Sequence, residues 1–106
     1  MVLFSKVAIK NLSDILTGLI GWKKHPLDVE HAMKYVSEIR RICEKLDTKS
    51  FHFNVLYASH KRFGDKVHTY RRNKNTIWYI IYTLDHHGNI YIQRIISNYN
   101  TKSKTI

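Results

Sequence analysis

Six consecutive residues, Ile77-Trp78-Tyr79-Ile80-Ile81-Tyr82, carry no charged side chain. A run that is apolar at both alternating sets of positions belongs in a strand covered on both faces, so this segment is predicted to be the centre of a sheet. The flanking sequence supplies its neighbours. Asp85-His86-His87-Gly88-Asn89 has turn chemistry, and Ile90 to Ser97 reads as a returning strand. Upstream, Asp65 to Arg72 reads as a polar strand. The basic, exposed stretch Arg71-Arg72-Asn73-Lys74-Asn75 closes the hairpin between it and the central strand.

The first half has a different period. Val29, Ala32, Met33, Val36, Ile39, Cys43 and Leu46 recur at helical spacing from Asp28 to Leu46. Acids early in that span (Asp28, Glu30) and bases late in it (Arg40, Arg41, Lys45) complement the helix dipole. Before it, Leu12, Ile15, Leu16, Leu19 and Ile20 line one face of a helix expected to be capped by Asn11 and to end near Trp22. Gly18 and Gly21 weaken that helix. The link from Trp22 to Pro26 is short, and Pro26 suits the opening turn of the second helix. Val2 to Ile9 reads as a strand. Residues 47–63 are ambiguous: Phe51, Phe53, Val55 and Tyr57 alternate with more polar neighbours as in an extended edge segment, and a short helix is the other reading.

The expected fold is therefore α+β, in the order β-α-α-β-β-β. A helical hairpin packs on one face of a twisted, mostly antiparallel four-stranded sheet and leaves the other face partly concave and open. At this length one domain is expected, over residues 1–99, with 100–106 a flexible basic tail. A single cysteine, Cys43, excludes an intrachain disulfide and suits a reducing compartment; on its apolar helix face it reads as a small buried hydrophobe. No apolar run approaches the roughly 18 residues of a membrane span. The opening residues do not have the make-up of a signal peptide. A cytoplasmic protein with no membrane partner is the expectation.

Charge narrows the partner. Lys and Arg number 18 against 8 Asp and Glu, a net charge of +10. It is uneven: residues 1–58 hold nine bases and six acids, whereas residues 59–106 hold nine bases and two acids. Phosphate contacts release counterions and dominate nucleic-acid affinity, so a polyanion is the natural partner of the second half, and an acidic protein satisfies the same electrostatics.

Phe63-Gly64-Asp65-Lys66-Val67-His68-Thr69-Tyr70-Arg71-Arg72-Asn73 runs on into Thr76-Ile77-Trp78-Tyr79-Ile80-Ile81-Tyr82, a hairpin and a last strand holding Arg94. Together with the element order, this resembles the RelE/ParE superfamily of bacterial toxins, the toxin halves of type II toxin–antitoxin pairs. The resemblance spans nearly the whole chain, and its specific part is residues 63–98. It implies one of two activities: metal-independent cleavage of messenger RNA, usually on the ribosome, or non-catalytic inhibition of DNA gyrase. It also implies a partner, a cognate antitoxin that is acidic and encoded adjacently. Fold alone does not choose between the activities. A non-catalytic nucleic-acid-binding module that shares only the fold is a third reading.

Cleavage needs a base for the 2′-OH, cations for the phosphate and a donor for the leaving oxygen. By position in the family pattern, Arg71 and Arg94 are the phosphate clamps, and Tyr99 sits where a C-terminal residue stacks on a base or moves a proton. His68 lies near Arg71 and has the intrinsic pKa of an acid or base. Lys61, Arg62, Lys66, Arg72 and Lys74 are expected to track RNA phosphates. Two family positions depart from the nuclease pattern: Tyr79 stands where an arginine is common, and Asn98-Tyr99 where a His-Arg pair is. His86 and His87 are adjacent but have no evident third ligand, so neither a metal nor a cofactor is expected. Trp78 and Tyr82 read as core.

Overall fold

A computed structural model describes residues 1–21 and 26–99. Its architecture is α+β. The strands are β1 (Val2–Phe4), β2 (Phe53–Asn54), β3 (Lys66–Asn73), β4 (Thr76–Leu84) and β5 (Ile90–Ser97). The helices are α1 (Lys6–Ile20), α2 (Val29–Glu44) and the single-turn α3 (Ala58–Lys61), with a 3-10 turn at Leu46–Thr48. Five strands, not four, make one open sheet in the order β1-β5-β4-β3-β2. The three long strands pair antiparallel, while β1 lies parallel to β5 along Ile90–Ile92.

Strand β4 is the centre of the sheet, and its two faces feed two clusters. Trp78, Ile80 and Tyr82 pack with Ala8 and Leu12 of α1, Ile39 and Cys43 of α2, and Ile90, Ile92 and Ile95 of β5. Ile81, with Tyr79 against it, joins Val67, Ile96 and Val55, with Phe63 alongside. Each fully buried isoleucine here stabilises the fold by about 1.5–3 kcal/mol relative to exposure. The face away from the helices is thus not left bare. Residues 55–63 double back over it and cover Ile81 and Ile96.

Several element boundaries differ from the sequence reading. The first strand stops at Phe4 because Ser5 caps α1, accepting the Ala8 N–H (3.0 Å) and donating to the Gln93 carbonyl (3.1 Å). Asn11, expected as the cap, sits inside α1, where its Oδ1 accepts the Ile95 N–H of β5 (3.0 Å). Helix α1 ends at Ile20, with Gly21 as its cap. Asp28 caps α2 by accepting the His31 N–H (2.8 Å), which leaves Pro26 two residues ahead of the cap and not in the opening turn. The segment 47–63 takes both forms considered for it, the two-residue strand β2 and the turn α3. Both are too short to impose a period on the sequence. Residues 22–25 of the predicted link and the predicted tail 100–106 lie outside the described residues.

Two glycines fix tight approaches. A Cβ on Gly64 would lie 2.9 Å from the Tyr82 carbonyl oxygen, so the chain enters β3 too close to β4 for any side chain. Gly88 adopts φ +85° in the β4–β5 turn. That turn is organised by Asp85, whose carboxylate accepts from the N–H groups of His87 and Asn89 (2.9 Å each) and from the Tyr91 hydroxyl (3.2 Å). The Asn89 N–H leads these contacts in holding the Asp85 carboxyl down at about 2, against an ordinary 3.8. A carboxyl depressed on folding stabilises the native state above its unfolded pKa and loses that contribution as pH falls through the folded one. Asp85→Asn is therefore expected to flatten the acid limb of stability between pH 4 and 2, roughly the window between those two pKa values. Urea titrations at stepped pH measure it, and an unchanged acid limb refutes the assignment.

Candidate functional site

Residues directly opposite in adjacent strands share a face of the sheet, so the register against β4 sorts the candidate residues. His68 pairs with Ile80, whose side chain packs under the helices. Thr69 pairs with Tyr79 and Arg71 with Ile77, on the opposite face. Arg94 pairs with Ile81, also on the opposite face. A register shift lies between the Ile81–Arg94 and Tyr82–Ile92 pairs. This bulge is why Ile92 faces the helices while Arg94 and Ile96 face away. Arg71 and Arg94 therefore share a surface, and His68 does not join them. The expected gathering of two guanidiniums and this imidazole does not form.

The surface opposite the helices has a consistent chemistry. The Arg94 guanidinium carbon lies 4.5 Å from the centroid of the Phe63 ring, and that of Arg62 lies 4.7 Å from the same ring. Arg94 also donates to the Gln93 carbonyl (2.8 Å) and Arg71 to the Lys74 carbonyl (3.3 Å). None of Arg62, Arg71 and Arg94 forms an ion pair among the described residues. Tyr79 stands among aromatic groups, its ring 5.6 Å from Tyr57 and 5.2 Å from His60, which is 1% exposed. Burial, then a hydrogen bond with Tyr57, pushes the Tyr79 phenol up to about 12, so it holds its proton at neutral pH. From strand spacings, the α-carbons of Arg71 and Arg94 lie about 16 Å apart, four residues along β4 and two strands across. Lys61, exposed on α3, borders the same side.

The remaining candidates lie elsewhere. Arg72 donates to Glu38 of α2 (2.6 Å) and to the Tyr70 hydroxyl (3.3 Å), with its guanidinium 4.4 Å from the Tyr35 ring. Tyr35 in turn accepts the Trp78 indole N–H (2.9 Å). Arg72 therefore pins the β3–β4 hairpin to α2, and the role expected for it in RNA binding does not fit this geometry. Lys66 donates to Asn54 (2.7 Å). Lys74 is exposed in the hairpin turn. Burial and then Lys49 lower the pKa of His68, which keeps it neutral at pH 7. Tyr99 is 54% exposed and lines a cleft with Tyr35, Arg72 and Lys74, away from Arg94. Asn98 is structural. It accepts the Ile77 N–H (3.1 Å) and donates to the Asn75 carbonyl (3.2 Å), tying the end of β5 to the hairpin.

Sequence reasoning missed Phe63 and Tyr57 as parts of this surface. The adjacency of Arg62 and Phe63 was visible, but the contact with Arg94 requires the chain to fold back over β5. The contrast between the two neighbouring arginines is testable. Arg72→Ala is expected to lower stability by about 1–2 kcal/mol through loss of the cation–π contact and a part-exposed ion pair. Arg71→Ala, a surface change, should stay within about 0.5 kcal/mol. Equal effects in chemical denaturation would contradict this division of labour. Compared with known proteins, the chain matches no family model, and no curated protein matches it.

Proposed function

We propose that this protein is a toxin of the RelE/ParE kind whose target is single-stranded RNA, gripped by the sheet face opposite the helices and cut without a metal ion. One observation carries the reading: Arg62, Arg71 and Arg94 share that face, and none of them is paired with a carboxylate among the described residues. Unneutralised guanidiniums beside Phe63 and Tyr79 suit a strand that offers both phosphates and unstacked bases. In the cleavage step the 2′-oxygen attacks the adjacent phosphorus and gives its proton to water. The bond to the 5′-oxygen breaks, and that oxygen takes a proton from the Tyr79 phenol, which water then restores. Arg71 and Arg94 bind neighbouring phosphates and stabilise the charge that builds on the reacting one. The partner in this reading is an acidic antitoxin, encoded next to the toxin, that covers the basic face.

A second reading, inhibition of DNA gyrase or plain nucleic-acid binding without chemistry, is favoured by one feature. His68, the imidazole nominated for proton transfer, faces the other way. Purified protein incubated with messenger RNA and ribosomes in excess chelator separates the two. The expected result is a set of defined cuts, slowed on the order of 100-fold by Arg94→Ala and changed less than about twofold by His68→Ala, a change remote from the cutting face. Intact RNA, with supercoiling by gyrase blocked instead, would transfer the assignment to the second reading.

A further inference from the structure

Arg94 borders a cleft that a grip on phosphates does not explain. Strand β1 covers β5 only along Ile90–Ile92, so beyond Ile92 that edge of the sheet faces α1 with no strand between them among the described residues. A cleft of about 490 Å³ opens there. Asn11, Asp14 and Gly18 of α1 line one side, Arg94 and Phe63 the other, with Trp78 among the apolar walls. That volume falls in the range of small-ligand sites, about 300–1,000 Å³. Among the described residues that line it, Asp14 is the one acid. A carboxylate repels phosphate, so it is out of place in a site that binds only the RNA backbone. Its ion pair with Lys10 (2.9 Å) lies at the surface, with more than half of each side chain exposed, and is correspondingly weak. Asn11 stands three residues before Asp14, on the same side of the helix. Its Oδ1 accepts the Ile95 N–H, so the other end of the carboxamide is the donor Nδ2. Gly18 adds a third sign. Glycine is a poor helix former, yet it sits inside α1, where a Cβ would meet no atom within 4 Å. Packing does not demand a glycine there, and its bare backbone leaves the cleft wall open.

We infer that this cleft takes up a guanine base, from a nucleotide whose phosphate Arg94 holds, and that Asp14 selects it. The inference rests on the RNA reading and names the base that reading leaves open. Guanine is the one RNA base with two adjacent N–H donors, at N1 and the 2-amino group, flanked by the acceptor O6. A carboxylate accepts from both donors at once, and a carboxamide N–H donates to O6. Adenine and cytosine put a ring-nitrogen lone pair where guanine has N1–H, which sets an acceptor against the carboxylate. Uracil offers one donor between two acceptors. Only an unstacked base of a single strand can turn into such a cleft, which agrees with a single-stranded target.

Labelled hexamers of 2′-fluoro RNA test this by fluorescence anisotropy, because they lack the attacking 2′-oxygen and stay intact. One strand is all uridine, and four carry a single central guanosine, adenosine, cytidine or inosine. The guanosine strand is expected to bind at least about tenfold tighter than the adenosine and cytidine strands. Inosine, which lacks the 2-amino group, should fall between. Asp14→Asn, at an exposed position, should remove the guanosine advantage without weakening the all-uridine strand. Gly18→Leu should also remove it, by filling the cleft, and it favours the helix, so it decides the matter if the first variant misfolds. Arg94→Ala should weaken every strand. Equal binding of all five strands, or a guanosine advantage that survives both cleft variants, would overturn the inference and leave the RNA reading standing. Binding of no strand at all would overturn the RNA reading, and this inference with it.

Discussion

Strand β4 has no solvent face along its middle, and the rest of the molecule is arranged around that constraint. Ile80, Ile81 and Tyr82 are successive residues, each 1% exposed or less, so both surfaces of the sheet have to be covered at this strand. The helices cover one surface through Trp78, Ile80 and Tyr82. The folded-back segment 55–63 covers the other over Ile81. With β4 fixed in both directions, the pairing of β3 and β5 to it is fixed as well, because a slip of one residue would exchange core and surface along a whole strand. The side on which each charged group of β3 and β5 emerges follows from that pairing.

This explains which parts of the site were legible in the sequence. The apolar run 77–82, the Asp85–Asn89 turn and the returning strand Ile90–Ser97 were readable because local chemistry and burial agree there. The period of α2 was readable for the same reason. The His68 and Arg71 pairing failed on a point the sequence did contain: residues three apart in a strand point to opposite faces. Arg94 is the reverse case. It lies between Ile92 and Ile96, and the register shift supplies the bulge that lets Ile92 face the helices while Arg94 faces away. The start of α1 was misplaced because Ser5 and Asn11 are both good caps by type. Ser5 holds the position because its hydroxyl also reaches the Gln93 carbonyl across 88 residues of sequence, a contact no local pattern reveals. Residues 55–63 were the least legible, since α3 is one turn long and owes its place to Tyr79, Ile81 and Ile96.

The few acids are deployed unevenly. Asp14, Asp28, Glu30, Glu38 and Glu44 lie on or cap the two long helices, where each pairs with a base or a histidine. Asp47 takes the amino terminus, and Asp85 is committed to its turn. No acid occurs between Thr48 and Gly64, and Asp65, just before β3, forms no ion pair among the described residues. The helical side is thus a patchwork of both signs, whereas the guanidiniums of the opposite side are left without partners. Net charge alone does not distinguish a solubilising surface from a binding one. A separation of sign by face concentrates the positive potential on one side, which is what the proposed RNA reading calls for.

The grouping of Arg62 and Arg94 about Phe63 shows how two like charges are held side by side on this face. With guanidinium carbons 4.7 and 4.5 Å from one ring centroid, the two charges are at most about 9 Å apart. At that separation their repulsion is about 0.5 kcal/mol in bulk water and about 2 kcal/mol at the effective dielectric of a protein surface. Each contact with the ring returns about 0.5–1 kcal/mol. The opposing effects nearly cancel, so the ring holds both cations in place at little net cost. In the RNA reading proposed above, a nearby phosphate would offset this repulsion while the ring contacts remain. Replacing Phe63 by leucine would keep the apolar volume against Ile81 and Ile96 but remove the π face, leaving the repulsion unopposed. The electrostatic argument therefore assigns Phe63 a positioning role for the two cations, separate from its part in the core beneath.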